Sequence, residues 1–392
     1  VTASTLTAEA GNGYFINTTS NTCTITLPSS AEAGDQIVFM DYVRTWGTNK
    51  IIIDSNGLNY QGEDDTFTVE YETSGETVNI VYADATQGWI PLDDDVVAQA
   101  ASPPPTYKAI FGYGMAGASR VSMSNLVNSS GVVATDVTGV GSARNQLAAA
   151  KYGLDKAIFG YGSTGSYTAI TNLVSNSGVI ATDVSGVGTV RNTLAAAGYG
   201  GDKAIFGYGQ AGSDLSMTNL VNSSGVVAAD VTGVGTARNS LAATGYGGDK
   251  AIFGYGRQPS VLSITNLVTN VGVVGTDVTG VGTARFSLAA TVYGTDKAIF
   301  AYGYTTGYVS MSNLVSNSGV VAADVTGVGS VHDGLAAAGY GGDKAIFGYG
   351  GTTPGHTSIT NLVSNSGVIA TDVSGVGTAR TTLAAAGYSL SA

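Results

Sequence analysis

Few side chains in this chain could carry chemistry. Its 392 residues hold two histidines, His332 and His356, and one cysteine, Cys23. That set is too sparse for a Cys/His metal cluster, and no Ser–His–Asp triad has a natural candidate. No catalytic residue, metal or cofactor is expected. The acids and bases, by contrast, keep a register. Asp136, Asp183, Asp230, Asp277 and Asp372 each stand eight residues before an arginine: Arg144, Arg191, Arg238, Arg285 and Arg380. Asp324 stands at the same distance before His332. Arginine can hold a carboxylate through two parallel hydrogen bonds, so each Asp–Arg pair could brace the connection from the outer strand to the next inner strand. Alternatively, the cations could line one mouth of a channel and bind an anion or an acidic sugar. Bracing is preferred, because a feature repeated in every unit is usually what builds the unit. Glycan hydrolysis needs two suitably spaced carboxylates. Outside the repeated positions, residues 108–392 offer only Asp214 and Asp333. "GYGGDK" and "GVGTAR" resemble phosphate loops, but neither opens a helix.

A second group of residues stands out by varying. After each GYG the chain reads "MAGASRVSMS", "STGSYTAIT", "QAGSDLSMT", "RQPSVLSIT", "YTTGYVSMS" and "GTTPGHTSIT". Equivalent loops of equivalent units should emerge on one face. They would bring together Arg120, Tyr167, Asp214, Arg257, Gln258, Tyr304, Tyr308 and His356. Aromatic faces beside planar polar groups suit a carbohydrate or a flat protein epitope. Drift under weak constraint is the competing reading.

The elements that must position these residues follow from the period. Lys108, Lys156, Lys203, Lys250, Lys297 and Lys344 open six near-copies of KAIFGYG, at intervals of 48, 47, 47, 47 and 47 residues. Such a period signals a repeat architecture. Each unit divides into four short apolar segments, separated by Gly, Asn, Asp and Ser, with no sustained helical periodicity. The 57 glycines recur at fixed offsets and read as turns and bulges. Asp155, Asp202, Asp249, Asp296 and Asp343 read as turn residues beside solvated lysines. Four strands per unit, six times, predict a six-bladed β-propeller. The first unit lacks an "LAAA" segment in front, and the C-terminal "ARTTLAAAGYSLSA" supplies a spare one. The last strand is therefore expected to pair with the Lys108 strand and close a ring, removing exposed sheet edges.

The pattern "AR-x-x-LAAA-x-YG-x-DKAIFGYG" resembles a kelch repeat over residues 108–392. GYG stands where that family usually has two adjacent glycines, and the family's later Tyr and Trp give way to "NLV" and "DVTGVG".

Residues 1–92 differ. "TCTITLPSS", "DQIVFMDYV", "NKIIIDSNG", "DTFTVEYE" and "TVNIVYAD" alternate apolar and polar positions, predicting a small β-sandwich or jelly roll. Residues 93–107, "DDDVVAQAASPPPTY", read as a stiff acidic, proline-rich linker. "TITLPSSAEAGDQIVFMDYVRTWGTNKIIIDSNG" and "VNIVYADATQGWIPL" are similar to small β-domains of bacteriophage tail fibres and virion-surface proteins. The repeat wording "NLVSN-x-GVVA-x-DVTGVGTAR" also looks like that of proteins from phages of aquatic bacteria. The resemblance implies attachment to a particle or trimerisation by residues 1–92, other virion proteins as partners, and a location on the virion after assembly in the host cytoplasm.

Charge divides at the same boundary. Residues 1–100 carry 15 acids and 2 bases, and residues 101–392 carry 13 acids and 14 bases, so −13 and +1 give the chain's −12. An acidic head and a neutral remainder disfavour nucleic acid as a partner. No membrane span is expected, since no run of eighteen apolar residues occurs. "VTASTLTAEAG" does not read as a signal peptide, and a single Cys excludes an internal disulfide. The expected function is non-enzymatic: a tail fibre or receptor-binding protein whose propeller touches a host surface glycan or protein. A head-decoration or capsid-fibre protein and a polysaccharide depolymerase are the alternatives.

Overall fold

The computed structural model describes residues 1–92 and 106–390, and every regular element among them is a β-strand. The chain divides into two compact units, Val1–Pro104 and Pro105–Ser391. Most of the expected linker, 93–107, lies outside the described residues. Its last two residues do not belong to a linker: Thr106 and Tyr107 begin the strand Thr106–Gly112.

In the first unit the strands are β1 (Thr5–Thr7), β2 (Gly13–Ile16), β3 (Cys23–Thr26), β4 (Gln36–Asp41), β5 (Ile51–Asp54), β6 (Val69–Tyr71), β7 (Thr77–Tyr82) and β8 (Trp89–Pro91). They form two four-stranded sheets, ordered β1-β3-β5-β6 and β2-β4-β7-β8. The alternating sequence puts Ile25, Ile37, Phe39, Ile51, Ile80 and both tryptophans, Trp46 and Trp89, into one core. Three pairs, β1/β3, β3/β5 and β2/β4, are parallel. The cause is topological. Through its first five strands the chain alternates between the sheets, so successive strands of one sheet are separated by a strand of the other and run the same way. Asp41 pins the β4 exit. Its carboxylate accepts the amides of Thr45 at 3.0 Å, Trp46 at 3.1 Å and Gly75 at 2.9 Å. Burial works against the charge, but these amides hold the carboxyl below its usual range.

In the second unit six three-stranded antiparallel sheets repeat one plan. The second sheet is Ala148–Tyr152, Lys156–Gly160 and Thr171–Val174, with Ala150 opposite Ile158 and Ile158 opposite Leu173. The middle strand is covered on both faces, which explains its unbroken apolar run, Ala-Ile-Phe. The first strand is rich in alanine and ends in tyrosine, Ala-Ala-Ala-Lys-Tyr in this sheet. The predicted fourth segment is not a ladder strand. It touches the third strand only at isolated bridges, Val127↔Val133 and Ser124↔Val137 in the first sheet. A side chain supplies part of the connection between them: Asn125 Nδ2 donates to Ala134 O at 3.0 Å and to Asp136 Oδ1 at 2.9 Å.

The first sheet joins both ends of the unit. Ala384–Leu390 pairs with Thr106–Gly112, with Tyr388 opposite Lys108 and Ala384 opposite Gly112. Six apolar cores lie between neighbouring sheets, the last between the sixth and the first. At five of the six junctions a phenylalanine fits where a glycine leaves room: a Cβ at Gly160 would lie 2.7 Å from Phe206 Cζ. At the sixth the equivalent residue is Ala301. One cavity of about 250 Å³ is lined by residues from all six first strands.

Candidate functional site

The GYG tyrosines and the repeated arginines make the walls behind any site. Tyr113, Tyr161, Tyr208, Tyr255, Tyr302 and Tyr349 all sit at φ 63–64°, a left-handed conformation unusual for a bulky residue. Packing holds them there. The Tyr161 ring lies 5.1 Å from the Phe206 ring, with the Arg191 guanidinium 4.3 Å from its centroid on another side. Its hydroxyl donates to Val187 O at 3.0 Å.

The arginines are wholly buried. Arg191 donates to Tyr208 O at 2.9 Å, Thr189 O at 3.1 Å and Asn219 Oδ1 at 2.7 Å. Its carboxylate neighbour is Asp230, at 3.9 Å, not the Asp183 eight residues before it. Arg144 likewise approaches Asp183, Arg285 approaches Asp324, and Arg380 approaches Asp136. The pairing expected within a unit is therefore made between units, at the edge of ion-pair distance and without bidentate geometry. Each Asp instead accepts from the preceding unit's loop: Asp230 from the Thr189 amide at 3.0 Å and hydroxyl at 2.7 Å. These groups hold the Asp230 carboxyl below its usual range despite the opposing effect of burial. The reading of the arginines as an anion-binding ring fails, because their guanidinium groups are sealed from solvent and most of their donors are taken by protein acceptors, Arg285 Nη2 and Arg380 Nε excepted.

His332 replaces arginine between the fifth and sixth sheets. It is fully buried and stacks 4.4 Å from the Tyr302 ring. Both ring nitrogens lack partners, as does Asn361 Oδ1, whose equivalents accept from the arginine at Asn172, Asn219, Asn266 and Asn125 but not at Asn313. Burial draws its pKa down to about 4, against the opposing pull of the Asp372 carboxylate.

The variable loops fold as hairpins. Arg120 pairs with Met115, Asp214 with Gln210, Arg257 with Val261, Gln258 with Ser260 and His356 with Gly351, while Tyr167 bridges Ser163 and Tyr304 bridges Tyr308. Every hairpin root also bridges the residue after the repeated Arg or His: Met115↔Thr381, Asn145↔Ser163, Asn192↔Gln210, Asn239↔Arg257, Phe286↔Tyr304 and Asp333↔Gly351. Beside those bridges runs a cycle of main-chain hydrogen bonds. Thr193 donates to Gln146, Ser240 to Thr193, Ser287 to Ser240, Gly334 to Ser287, Thr382 to Gly334 and Gln146 to Thr382, at 2.6–2.9 Å. All six residues have φ of 50–56°. A polar depression of about 230 Å³ lies at this cycle, lined in part by Gln146, Thr193, Ser240, Gln210 and Arg257.

The structure joins part of the predicted set. Asn239 Nδ2 donates to Asp214 Oδ1 at 2.6 Å, and Arg257 Nε donates to Asn239 Oδ1 at 3.3 Å. The Arg257 guanidinium lies 4.6 Å from the centroid of Phe286, whose ring meets Tyr304 at 5.5 Å, and Tyr304 meets Tyr308 edge-on at 5.3 Å. Asp214, Arg257, Tyr304 and Tyr308 thus form one arc across three hairpins. Arg120 is tied separately to Asn145 at 3.1 Å. Tyr167 and His356 stand on hairpins of their own, and Gln258 neighbours Arg257 on its hairpin; Tyr167 and Gln258 are exposed. Asn239 and Phe286 were missed. Phe286 had a signal, since "ARF" breaks a position that is Asn at Asn145, Asn192 and Asn239. Asp333 falls at that same position, and burial pushes its pKa up to about 6. Among the described residues, no group of three His, Cys, Asp or Glu side chains could hold a metal ion. No described helix is long and apolar enough to cross a membrane.

No protein-family model matches the chain, and no curated protein matches it.

Proposed function

We propose that this chain is a non-enzymatic virion appendage of a bacteriophage, a tail fibre or receptor-binding protein. Residues 1–92 form a β-sandwich that attaches to the particle or assembles a homotrimer. The repeat unit is a six-bladed, kelch-like propeller whose hairpin face meets a glycan or protein on the host cell. The propeller reading is supported by the Tyr388–Lys108 pairing, by cores between every pair of neighbouring sheets and by the cyclic hydrogen bonds. The observation that carries the contact face is the Asp214–Asn239–Arg257–Phe286–Tyr304–Tyr308 arc. It places aromatic and planar polar groups side by side at positions where the repeat is otherwise free to vary, as recognition of sugars or flat epitopes requires. Many copies on a particle would turn weak single contacts into avidity.

Antibody labelling of intact particles and competition for host adsorption by the purified full-length chain test this reading together. The expected results are surface labelling, and loss of about tenfold in cell binding for the R257A/Y304A double variant with an unchanged unfolding transition. Unlabelled particles, or full binding by that variant, would overturn it.

A further inference from the structure

At the turns opposite the hairpins, a second cycle of main-chain bonds links the units. Gly153 donates to Asp202 O, Gly200 to Asp249 O, Gly247 to Asp296 O and Gly294 to Asp343 O. The cycle is completed through the first sheet, where Gly341 donates to Tyr107 O at 3.0 Å and Ser389 to Asp155 O at 2.9 Å. Tyr107 thus stands where the other five units have aspartate. The charge consequence is local. Lys156, Lys203, Lys250 and Lys344 each pair with the aspartate just before them, at 2.7–3.2 Å. Lys297 is also preceded by an aspartate, Asp296. Lys108 has none.

A second lysine adds to this imbalance. Lys151 occupies the position held by Gly198, Gly245, Val292, Gly339 and Gly387 in the equivalent first strands. Five units fold without a cation there, so the fold does not require one. Lys151 is half-buried and forms no hydrogen bond or ion pair with a carboxylate among the described residues. Its ammonium lies 5.2 Å from the centroid of the Tyr107 ring. Burial pulls its pKa below the usual lysine value. Lys151, Lys108 and Tyr107 line one cavity of about 390 Å³, together with Tyr293, Tyr388 and the Asp343–Lys344 ion pair. That volume lies within the range of small-molecule sites. Among the described residues neither Lys151 nor Lys108 makes an ion pair, Asp155 acting on Lys151 only at longer range and Asp343 being paired with Lys344; two such ammonium groups set among tyrosines match a small ligand with one carboxylate and a ring.

We infer that this cavity binds a carboxylated monosaccharide, its carboxylate held by Lys151 and Lys108 and its ring against the tyrosines. Isothermal titration of the full-length chain with glucuronic acid and N-acetylneuraminic acid tests the inference, with glucose and inorganic phosphate as controls. The expected result is binding of at least one acid sugar with a Kd of about 1 mM or tighter, and no binding of glucose. K151G takes the residue found in four sister units and should fold. K151M keeps bulk without charge. Both should weaken binding at least about tenfold. The inference is overturned if neither acid sugar binds, if phosphate binds as tightly as the sugars, or if K151M binds like the parent chain.

Discussion

The Arg238 and His332 junctions are built on one plan and differ in two packing features, the group stacked on tyrosine and the glycine that admits a phenylalanine, besides the flanking residues Thr236, Ala237, Asn239 and Ser240, which become Ser330, Val331, Asp333 and Gly334. At the first, Arg238 reaches Tyr255 O, Thr236 O and Asn266 Oδ1 at 2.9, 3.1 and 2.8 Å, and its guanidinium sits 4.3 Å from the Tyr208 centroid. Gly207, in the preceding central strand, leaves room for Phe253. At the second, a neutral imidazole covers Tyr302 without reaching Asn361. Ala301 stands where the glycine would, and the Tyr302 and Phe347 rings are 5.4 Å apart, against 5.1 Å for Tyr208 and Phe253. The comparison separates two duties of the repeated arginine. Stacking on tyrosine can be done by any flat ring. Satisfying buried acceptors of the next unit needs the guanidinium's length and its fork of donors.

The first and largest test breaks the good junction. R238A leaves Asn266 Oδ1 and the Tyr255 carbonyl without a donor and opens a void beside Tyr208. A loss of about 3–5 kcal/mol in urea unfolding is expected. R238H should fall between R238A and the parent, because it keeps the stack.

The second test uses pH. His332 is neutral when folded and titrates near 4, whereas an unfolded histidine titrates near 6.5. The unfolded chain takes up the proton first. This group's stability is therefore complete above pH about 6.5 and lost as pH falls toward 4, by about 3 kcal/mol. Asp333 opposes it. Its folded pKa of about 6 lies above the ordinary 3.8, so it contributes stability at low pH that is lost as pH rises through 6. In the parent chain the two slopes largely cancel. D333N, which installs the residue found at Asn145, Asn192 and Asn239, should expose the histidine slope between pH 6.5 and 4 in urea titrations at each pH. A flat profile in D333N would contradict a buried, neutral His332.

The third and smallest test repairs the weak junction. H332R with A301G restores both features of its neighbours and should gain about 1–2 kcal/mol at pH 7, measured as a raised unfolding midpoint. If H332R alone gains as much, the alanine is not part of the difference.

Much of this was legible in the sequence, and the limits have physical causes. The repeat period located every central strand, and the spare LAAA segment led to the terminal pairing of Ala384–Leu390 with Thr106–Gly112, because strand identity survives in residue order. The partner of each Asp was not legible. A spacing of eight residues within a unit cannot reveal that the next unit's Asp lies nearer. The left-handed Tyr161 and its equivalents were hidden, since their conformation is imposed by packing rather than by residue type. The cycle through Gln146, Thr193 and Ser240 is made by main-chain groups and leaves no side-chain signature. In residues 1–92, alternation gave the buried faces of β3, β4 and β7 but not strand direction, so the parallel pairs could not be foreseen. For the candidate site, variability marked the hairpins, while the arc that ties three of them together depends on Asn239 and Phe286, which lie outside them.

The pairing of Thr106–Gly112 with Ala384–Leu390 has a bearing on how the molecule comes into being. One of the earliest strands of the repeat must wait, one flank bare, while all the intervening sheets are made. A chain interrupted anywhere before residue 384 would carry an adhesive border with nothing to cover it.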